Sequence, residues 1–453
     1  MKQEISRLDR EDVFVSPPLG TEISAVPDPK PEYTVTNNTN VIMRVGALVG
    51  KARRKWERDG PLATYRAGRA LALDRASKAV APIVLTQFDL ARTEDLIDDH
   101  RITWQVKLDE STAAPDARTP FGVDPSSRGF RNLPRYSYTD QHLFVVPEVE
   151  LVGPDAIPVI DDDTIVCEAI EPSGEEGYRL KQAVARTLTD RRTIAEMISR
   201  DPHQELSYAC SLVNSWDNYY HWVIEHLPKL RALEYLKRNR DVQVELVVPA
   251  EPPSYIEESL ELLGYSLEDC IGWEGGVVSV DNLVQPSFTE PTVPVCRWLN
   301  ERVGSEVDRN GAAPACGDER IFVSREKART RKITNRAEVS TVLKEYDIKT
   351  YTTEDLRFDE QVELFSRASL IVGVHGAGLT DMIWADDCAI VEIFNDVIKP
   401  PYFEIARLLG HDYHCLRGVS TADDTYNSDL HVDVSQLRHL LDEIDRSSGG
   451  ESN

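Results

Sequence analysis

A histidine and a glutamate four residues apart are the pair in this sequence whose types and spacing best suit acid–base chemistry. They lie in the run DNYYHWVIEHLP (217–228), and a helix that starts at Asp217 or Asn218, both acceptable N-caps, places His221 and Glu225 on one face. An imidazole beside a carboxylate makes a general base with an orienting partner, as deprotonation of a hydroxyl requires. The alternative is a hydrogen-bonded core histidine with an exposed glutamate. Which of the two residues would be the base stays open.

A second candidate site follows an apolar run. Residues 370–374 (LIVGV) have the length and β-branched content of a buried parallel strand, and HGAG (375–378) follows directly, with a helix predicted from Leu379. Glycines let backbone N–H groups approach a ligand closely, and a helix start adds the positive end of its dipole. The corner therefore suits a phosphate or pyrophosphate, although the same turn occurs in α/β proteins simply to change direction.

Basic residues cluster upstream of this corner. A strand is predicted over 320–324, so that Ser324 and Arg325 lie at its carboxyl end. The segment from Arg325 to Arg336 contains one acidic residue, Glu326. Its six bases are Arg325, Lys327, Arg329, Arg331, Lys332 and Arg336. In a chain of formal net charge −26, this local reversal of sign favours an anion site, with a solvated loop as the alternative.

The overall composition excludes several classes of protein. The chain has 77 acidic against 51 basic residues, which disfavours nucleic-acid binding and is typical of proteins from a salt-rich cytoplasm. Its seven cysteines are scattered, without a C-x-x-C pair, which argues against a zinc site or a disulfide framework. With no apolar run of about twenty residues and no N-terminal signal pattern, we expect a cytoplasmic protein that does not span a membrane.

The chain is predicted to divide into two α/β domains with extensions. Residues 1–40 form a Pro-rich arm, and 41–81 form a basic amphipathic helical segment that either packs on the body or anchors the protein on anionic lipid. Residues 82–309 make the first domain. Residues 310–446 make the second, where strands and helices alternate about five times, as in a doubly wound parallel sheet. A hinge is predicted at 310–317, and 447–453 are a disordered tail.

The order of the motifs resembles family 61 glycosyltransferases, a group that includes capsular-polysaccharide enzymes and eukaryotic xylosyl- and N-acetylglucosaminyl-transferases. The resemblance rests on NYYHWVIEHLPKL, IFVSR…RKITN, LFSRASLIVGVHGAGLTDMIW and IVEIF, and it covers most of 144–417. It implies a GT-B fold of two Rossmann-like lobes with a cleft between them. It also implies metal-independent, inverting transfer from a nucleotide sugar, which is a substrate and not a cofactor, to a glycan or lipid-linked glycan.

The residues and the resemblance together predict the site. Glu225 and His221 are the candidate catalytic pair, and Glu392 is predicted to accept hydrogen bonds from ribose hydroxyls. The predicted substrate-binding residues are Asn218, Ser324, Arg325, Lys332, Asn335, His375, Gly376, Ala377, Gly378 and Glu392.

Three alternatives compete with this prediction. Asp161-Asp162-Asp163 resembles the acidic motif with which another class of transferases holds a metal-bound nucleotide, but between two predicted strands it is more typical of a solvated turn, so no metal site is predicted. A catalytically inactive nucleotide- or carbohydrate-binding protein of the same fold is the second. A structural partner of a membrane assembly is the third.

Overall fold

The computed structural model describes residues 61–98, 101–109, 140–170, 177–199, 204–213, 216, 218–309, 318–421 and 427–448. One compact unit begins at Ala70 and contains both large sheets, and residues 61–69 belong to another unit. The predicted arm at 1–40, residues 41–60 of the basic segment, the hinge at 310–317 and residues 449–453 lie outside the described residues. No helix in the described part of the chain combines the length and apolar composition needed to cross a membrane.

The first sheet is mixed. Its strands run in the order β1-β5-β4-β3-β10-β7-β8-β9, with β2 on β3 and β6 on β10. The half formed by β10, β7, β8 and β9 is parallel, whereas β10 pairs with β3, and β3 with β4, in antiparallel fashion. Only the parallel half therefore matches the Rossmann-like form predicted for this part of the chain. The strands are β1 (Asp89–Ala91), β2 (Trp104–Asp109), β3 (Gln141–Val152), β4 (Ile157–Ile160), β5 (Thr164–Val166), β6 (Glu205–Leu206), β7 (Ala209–Ser211), β8 (Glu245–Pro249), β9 (Ile271–Trp273) and β10 (Val277–Pro286).

Eight α-helices precede the second sheet in the described residues. The first begins at Pro61, a position that suits proline because its fixed φ fits the first helical residue and its missing N–H would have no partner there. The helices are α1 (Pro61–Leu85), α2 (Thr93–Asp98), α3 (Tyr178–Thr187), α4 (Arg191–Ser199), α5 (Tyr219–His221), α6 (Lys229–Asn239), α7 (Ser254–Leu262) and α8 (Val293–Arg309). The region 82–142, in which no pattern is evident from sequence, contains the end of α1, β1, α2, β2 and the start of β3.

The second sheet is wholly parallel, in the order β12-β11-β13-β14-β15, which confirms the alternation predicted for this region. A short hairpin of β16 and β17 and the last helix follow it. These elements are β11 (Glu319–Val323), α9 (Arg336–Glu345), β12 (Lys349–Tyr351), α10 (Phe358–Ser366), β13 (Ala368–Val374), β14 (Ala389–Phe394), α11 (Pro401–Leu409), β15 (Asp412–Arg417), β16 (Val419–Ser420), β17 (Leu430–His431) and α12 (Val434–Ser448).

Helices cover both faces of the second sheet because successive strand residues point in opposite directions. Phe322 of β11 shares a core with α9 and α12, whereas its neighbours Ile321 and Val323 share one with α10, α11 and residues 379–385. This second core continues without a break into the helices of the first half, where it contains Trp222 and Leu260. The carboxyl end of β11 therefore belongs to the same packed region as the run 218–228.

Candidate functional site

The histidine–glutamate pair lies in a helical segment with a widened turn. The side chain of Asn218 accepts a hydrogen bond from the His221 backbone N–H at 3.3 Å, which confirms the predicted N-cap. After α5 the chain forms a π-helical turn, Trp222–His226, in which the Leu227 N–H donates to the Trp222 carbonyl at 2.8 Å. Pro228 follows and has no N–H to donate. Turns of this kind are rare and are frequent at functional sites.

The predicted pairing of His221 with Glu225 is confirmed, and it has a third member. His221 Nδ1 lies 2.8 Å from Glu225 Oε1. Arg179 of α3 donates to both carboxylate oxygens of Glu225, at 2.7 Å and 2.9 Å. All three side chains are largely buried, and Glu225 itself is 6% exposed. A bidentate guanidinium–carboxylate pair is both strong and geometrically specific, so Glu225 is held in one orientation.

These contacts decide which atom can take a proton. Burial raises the pKa of Glu225, but the hydrogen bonds from His221 and Arg179 together outweigh it and hold that pKa below its usual range. Glu225 is therefore ionised at neutral pH, and both its oxygens are engaged. With Nδ1 of His221 turned to the carboxylate, Nε2 is the ring atom left to accept a proton from another molecule.

Aromatic rings surround this pair. The Arg179 guanidinium lies 4.9 Å from the ring centroid of Trp216 and 5.4 Å from that of Phe288. The Trp216 ring stands edge-on to His221 at 5.0 Å and to Tyr178 at 6.3 Å. Tyr178 is 65% exposed, so the row Tyr178–Trp216–His221 leads from solvent to the imidazole.

The glycine corner is built differently from its prediction. The His375 N–H continues the sheet by donating to the Ile393 carbonyl at 2.9 Å. The segment that follows, Ala377–Trp384, is a 3-10 helix that begins two residues before the helix predicted from Leu379. Its first turn closes early because the Leu379 N–H donates to the carbonyl of Gly376, three residues back, at 2.9 Å.

Arg325 and Gly376 are in close contact. A Cβ added to Gly376 would lie 1.7 Å from Arg325 Nη1, so only glycine leaves room for the guanidinium. Arg325 Nη2 also donates to the Thr330 carbonyl at 3.3 Å. At Gly378, a Cβ would lie 2.9 Å from the Val323 side chain. The basic segment and the glycine corner, separated by about fifty residues in sequence, thus meet at the carboxyl ends of β11 and β13.

Glu392 does not occupy the position predicted for it. It is fully buried on β14, where one oxygen lies 2.5 Å from His375 Nδ1 and the other accepts a hydrogen bond from the Tyr413 hydroxyl. A carboxylate so enclosed has no oxygen free for a ribose hydroxyl, and this corrects the prediction. Its visible role is to orient His375.

The remaining predicted residues separate into two groups. Ser324 and Lys332 line a pocket of about 640 Å³ together with Arg325. Asn335 instead uses its amide to pair with both backbone groups of Val432, at 2.8 Å and 3.0 Å, so it joins two segments of the chain, and its role in substrate binding stays a prediction.

Two other members of the basic segment form exposed ion pairs. Lys327 pairs with Asp355, and Arg336 pairs with Glu326. Exposed pairs of this kind hold their charges in solvent and contribute little. These two ion pairs offset the charges of Lys327 and Arg336, so the local positive charge is weaker than the sequence suggests. Arg325 remains at the corner, in contact with Gly376.

The aspartate triplet forms a turn between β4 and β5. Asp161 and Asp162 have φ values of 54° and 65°, and Asp161 lies 3.5 Å from Arg101. Within the described ranges, no three His, Cys, Asp or Glu side chains are grouped so that they could hold a metal ion.

The two candidate sites form one site. Tyr220 stands edge-on to His221 at 5.2 Å and to Tyr402 of α11 at 5.8 Å, and Tyr402 stands against His375 at 5.3 Å. The helical segment that carries His221 therefore packs directly on the turn that carries the glycines.

Residues 219–391 match the family model for glycosyltransferase 61. The predicted resemblance is confirmed. The matched region contains His221, Glu225, Arg325 and the glycine corner, whereas Arg179 lies upstream of it. No sequence pattern distinguishes Arg179 from Arg186, the other arginine of its helix, and sequence reasoning missed it for that reason.

Two curated relatives are, by name, transferases of N-acetylglucosamine. The chain is 32% identical over 123 residues to the EGF domain-specific O-linked N-acetylglucosamine transferase of Gallus gallus, covering 26% of this chain and 23% of that protein. It is 37% identical over 186 residues to protein O-linked-mannose beta-1,4-N-acetylglucosaminyltransferase 2 of Canis lupus familiaris, covering 36% of this chain and 32% of that protein. The matched regions thus span 23% and 32% of the length of these two relatives.

Proposed function

We propose that this protein is an inverting glycosyltransferase that moves a sugar from a nucleotide-sugar donor to a hydroxyl of a glycan or lipid-linked glycan. The observation that carries the proposal is the contact of the two half-sites: a histidine with a clamped carboxylate partner adjoins a glycine corner filled by a guanidinium. Base and anion site must be adjacent for such a transfer, because the attacked carbon lies between the acceptor oxygen and the departing phosphate.

In the proposed reaction His221 is the base. Nε2 accepts the proton of the acceptor hydroxyl while that oxygen forms a bond to the anomeric carbon and the bond from this carbon to the phosphate oxygen breaks. Attack from the face opposite the leaving group inverts the carbon. Glu225 stabilises the imidazolium that forms, and Arg179 holds Glu225 in place.

The departing nucleoside diphosphate gains negative charge, and the glycine corner would stabilise it. Arg325 supplies a fixed guanidinium there, Lys332 lines the adjoining pocket, and the N–H groups of Gly376, Ala377 and Gly378 are the predicted backbone donors. These groups would take the role that a metal ion has in other transferases, so we propose metal-independent transfer. His375, whose Nδ1 is held by Glu392, would present Nε2 to the same phosphates.

We also propose that the architecture is of the GT-B type, with 82–309 as the acceptor-side domain and 310–446 as the donor-side domain. The wholly parallel second sheet and the parallel half of the first sheet support this assignment. The position of the site also supports this assignment, because helices that pack on the two sheets meet there in one core.

We propose a cytoplasmic location with the basic segment 41–81 on an anionic membrane surface, where a lipid-linked acceptor would be met. The supporting feature is the contrast between that segment and an acidic chain of net charge −26. Co-sedimentation with vesicles of phosphatidylglycerol tests it. Changing Lys51, Arg53, Arg54 and Lys55 to glutamate should abolish recovery in the pellet, and equal recovery of parent and variant would refute it.

A panel of nucleoside diphosphates and nucleotide sugars tests the proposed activity. N-acetylglucosamine donors lead the panel, because the names of both relatives specify that sugar. Ligands that raise the melting temperature are then assayed for release of the nucleoside diphosphate, with and without excess chelator. Binding without turnover in the presence of diverse glycans would favour the inactive binding protein, and loss of turnover with chelator would refute metal independence.

A further inference from the structure

Asp381 is a buried carboxylate that the proposed chemistry does not use. It is fully buried in the 3-10 segment that follows the glycine corner. Its Oδ1 accepts hydrogen bonds from the Tyr219 hydroxyl at 2.5 Å and from Trp384 Nε1 at 2.9 Å. Its Oδ2 is also buried and has no hydrogen-bond partner among the described residues.

Such a carboxylate is unfavourable for folding. Two neutral donors on one oxygen offset only part of the cost of removing a charge from water, and burial raises the pKa of Asp381 to about 7. A buried polar group left partly unsatisfied calls for an explanation other than stability.

Asp381 joins the two half-sites. Tyr219 is the first residue of α5 and stands two residues before His221, while Asp381 belongs to the turn that begins at the glycine corner. The Tyr219 ring is fixed edge-on against Tyr255 at 5.3 Å and tilted against Phe358 at 6.3 Å. Because these contacts fix the ring of Tyr219, its hydroxyl can donate to Asp381 only while α5 stays packed against the 3-10 segment Ala377–Trp384.

We propose that Asp381 is a positioning residue, which acts through the Tyr219 hydroxyl to fix the separation between the base His221 and the glycine corner that would hold the donor. This inference rests on the proposed function. In a displacement reaction, a base displaced by about 1 Å costs about a hundredfold in rate, although donor and acceptor still bind. The Asp381–Tyr219 contact would therefore control turnover and leave donor affinity unchanged.

Tyr219→Phe is the first test, because it removes the hydroxyl and keeps the ring. We expect faster hydrogen–deuterium exchange in peptides covering 219–228, a fall in kcat of about tenfold to a hundredfold, and an unchanged dissociation constant for the best nucleoside diphosphate of the panel. Tyr346→Phe is the matched control. The Tyr346 hydroxyl also donates to a carboxylate, that of Asp442 at 2.7 Å, but between α9 and α12, and its loss should leave kcat unchanged.

Asp381→Leu is the second test, because it removes both the charge and the oxygen that accepts from the Tyr219 hydroxyl, and it separates positioning from stability. At about pH 8 the parent carries the ionised, poorly compensated carboxylate, whereas burial keeps the pKa of Tyr219 well above its ordinary value, so that this neighbour stays protonated. We expect the variant to unfold no more easily than the parent at this pH and yet to lose kcat. A residue that served stability alone would lose both together.

The exchange measurement needs no substrate, so the two proposals can fail separately. If the parent turns over no nucleotide sugar, the proposed function fails, and the contact still stands or falls by exchange in 219–228. If the parent is active and Tyr219→Phe matches it in both exchange and kcat, the positioning role is wrong. A loss of donor affinity equal to the loss of kcat would also refute it.

Discussion

Tyr220 and Tyr402 pack edge to face with 5.8 Å between their ring centroids, and each of them also contacts a histidine. Tyr220 contacts His221, and Tyr402 contacts His375. Each histidine in turn has its Nδ1 on a buried glutamate, Glu225 or Glu392. The site therefore consists of two similar His–Glu pairs, one from each half of the chain, with two tyrosine rings between them.

The first prediction separates the base from its partner. His221→Ala should lower kcat by about 10² to 10⁴, because proton transfer is lost, while the donor dissociation constant stays near that of the parent. Glu225→Gln should lower kcat less, because the ring keeps a hydrogen-bonding neighbour. Steady-state kinetics and isothermal titration measure the two quantities. A Glu225→Gln variant more impaired than His221→Ala would make Glu225 the base.

The second prediction concerns Arg179 and pH. Its guanidinium makes two of the three hydrogen bonds that hold the pKa of Glu225 below its usual range. Because the folded-state pKa is depressed, ionised Glu225 contributes stability above its unfolded pKa, and this stability is lost as pH falls through the folded pKa. In Arg179→Met the pKa of Glu225 should rise, so that stability is lost at a higher pH during acid titration.

Chemical denaturation between about pH 3 and 7 measures this effect. Arg302→Met is the matched control, because Arg302 also bonds two glutamates, Glu234 and Glu306, but away from the site. If the acid limb of the stability curve in Arg179→Met coincides with that of the parent, the clamp on Glu225 is energetically unimportant.

The third prediction tests the glycine corner. Gly376→Ala places a methyl group where Arg325 Nη1 now lies, so the guanidinium must move, and diphosphate binding should weaken as much as in Arg325→Ala. The expected loss for one charge-assisted contact is about 1.5 to 3 kcal/mol. Gly304→Ala is the control, because a Cβ there meets nothing within 4 Å. Parental affinity in Gly376→Ala, measured by titration calorimetry, would place the diphosphate elsewhere.

The fourth prediction concerns the two hydrogen bonds between Asn335 and Val432. The Asn335 amide replaces a backbone partner for Val432, so Asn335→Ala leaves two backbone groups without that partner. The free energy of unfolding should fall by about 1 to 3 kcal/mol, while the affinity for nucleoside diphosphates stays unchanged. Urea denaturation and titration calorimetry measure the two effects. If Asn335→Ala instead lost affinity for nucleoside diphosphates without a loss of stability, Asn335 would be a substrate-binding residue.

The sequence by itself determined the features that depend on local geometry. Alternating apolar runs predict the strands and helices of the second sheet because burial of one face imposes a period on each element. His221 and Glu225 share a face because residues four apart always do so on a helix. Gly376 is recognisable as a place of close approach, since only glycine lacks a Cβ.

Only the tertiary structure decided the features that join distant residues. Arg179 reaches Glu225 across 46 positions, and Asn335 reaches Val432 across 97, and neither separation leaves a periodic pattern in the chain. Glu392 follows a strand pattern in which a carboxylate looks like an exposed residue, yet its strand is interior to the sheet and is covered on both faces. The contact of Tyr220 with Tyr402 has the same origin. It depends on how the helices α5 and α11, from the two halves of the chain, pack into one core, and no local sequence pattern predicts that packing.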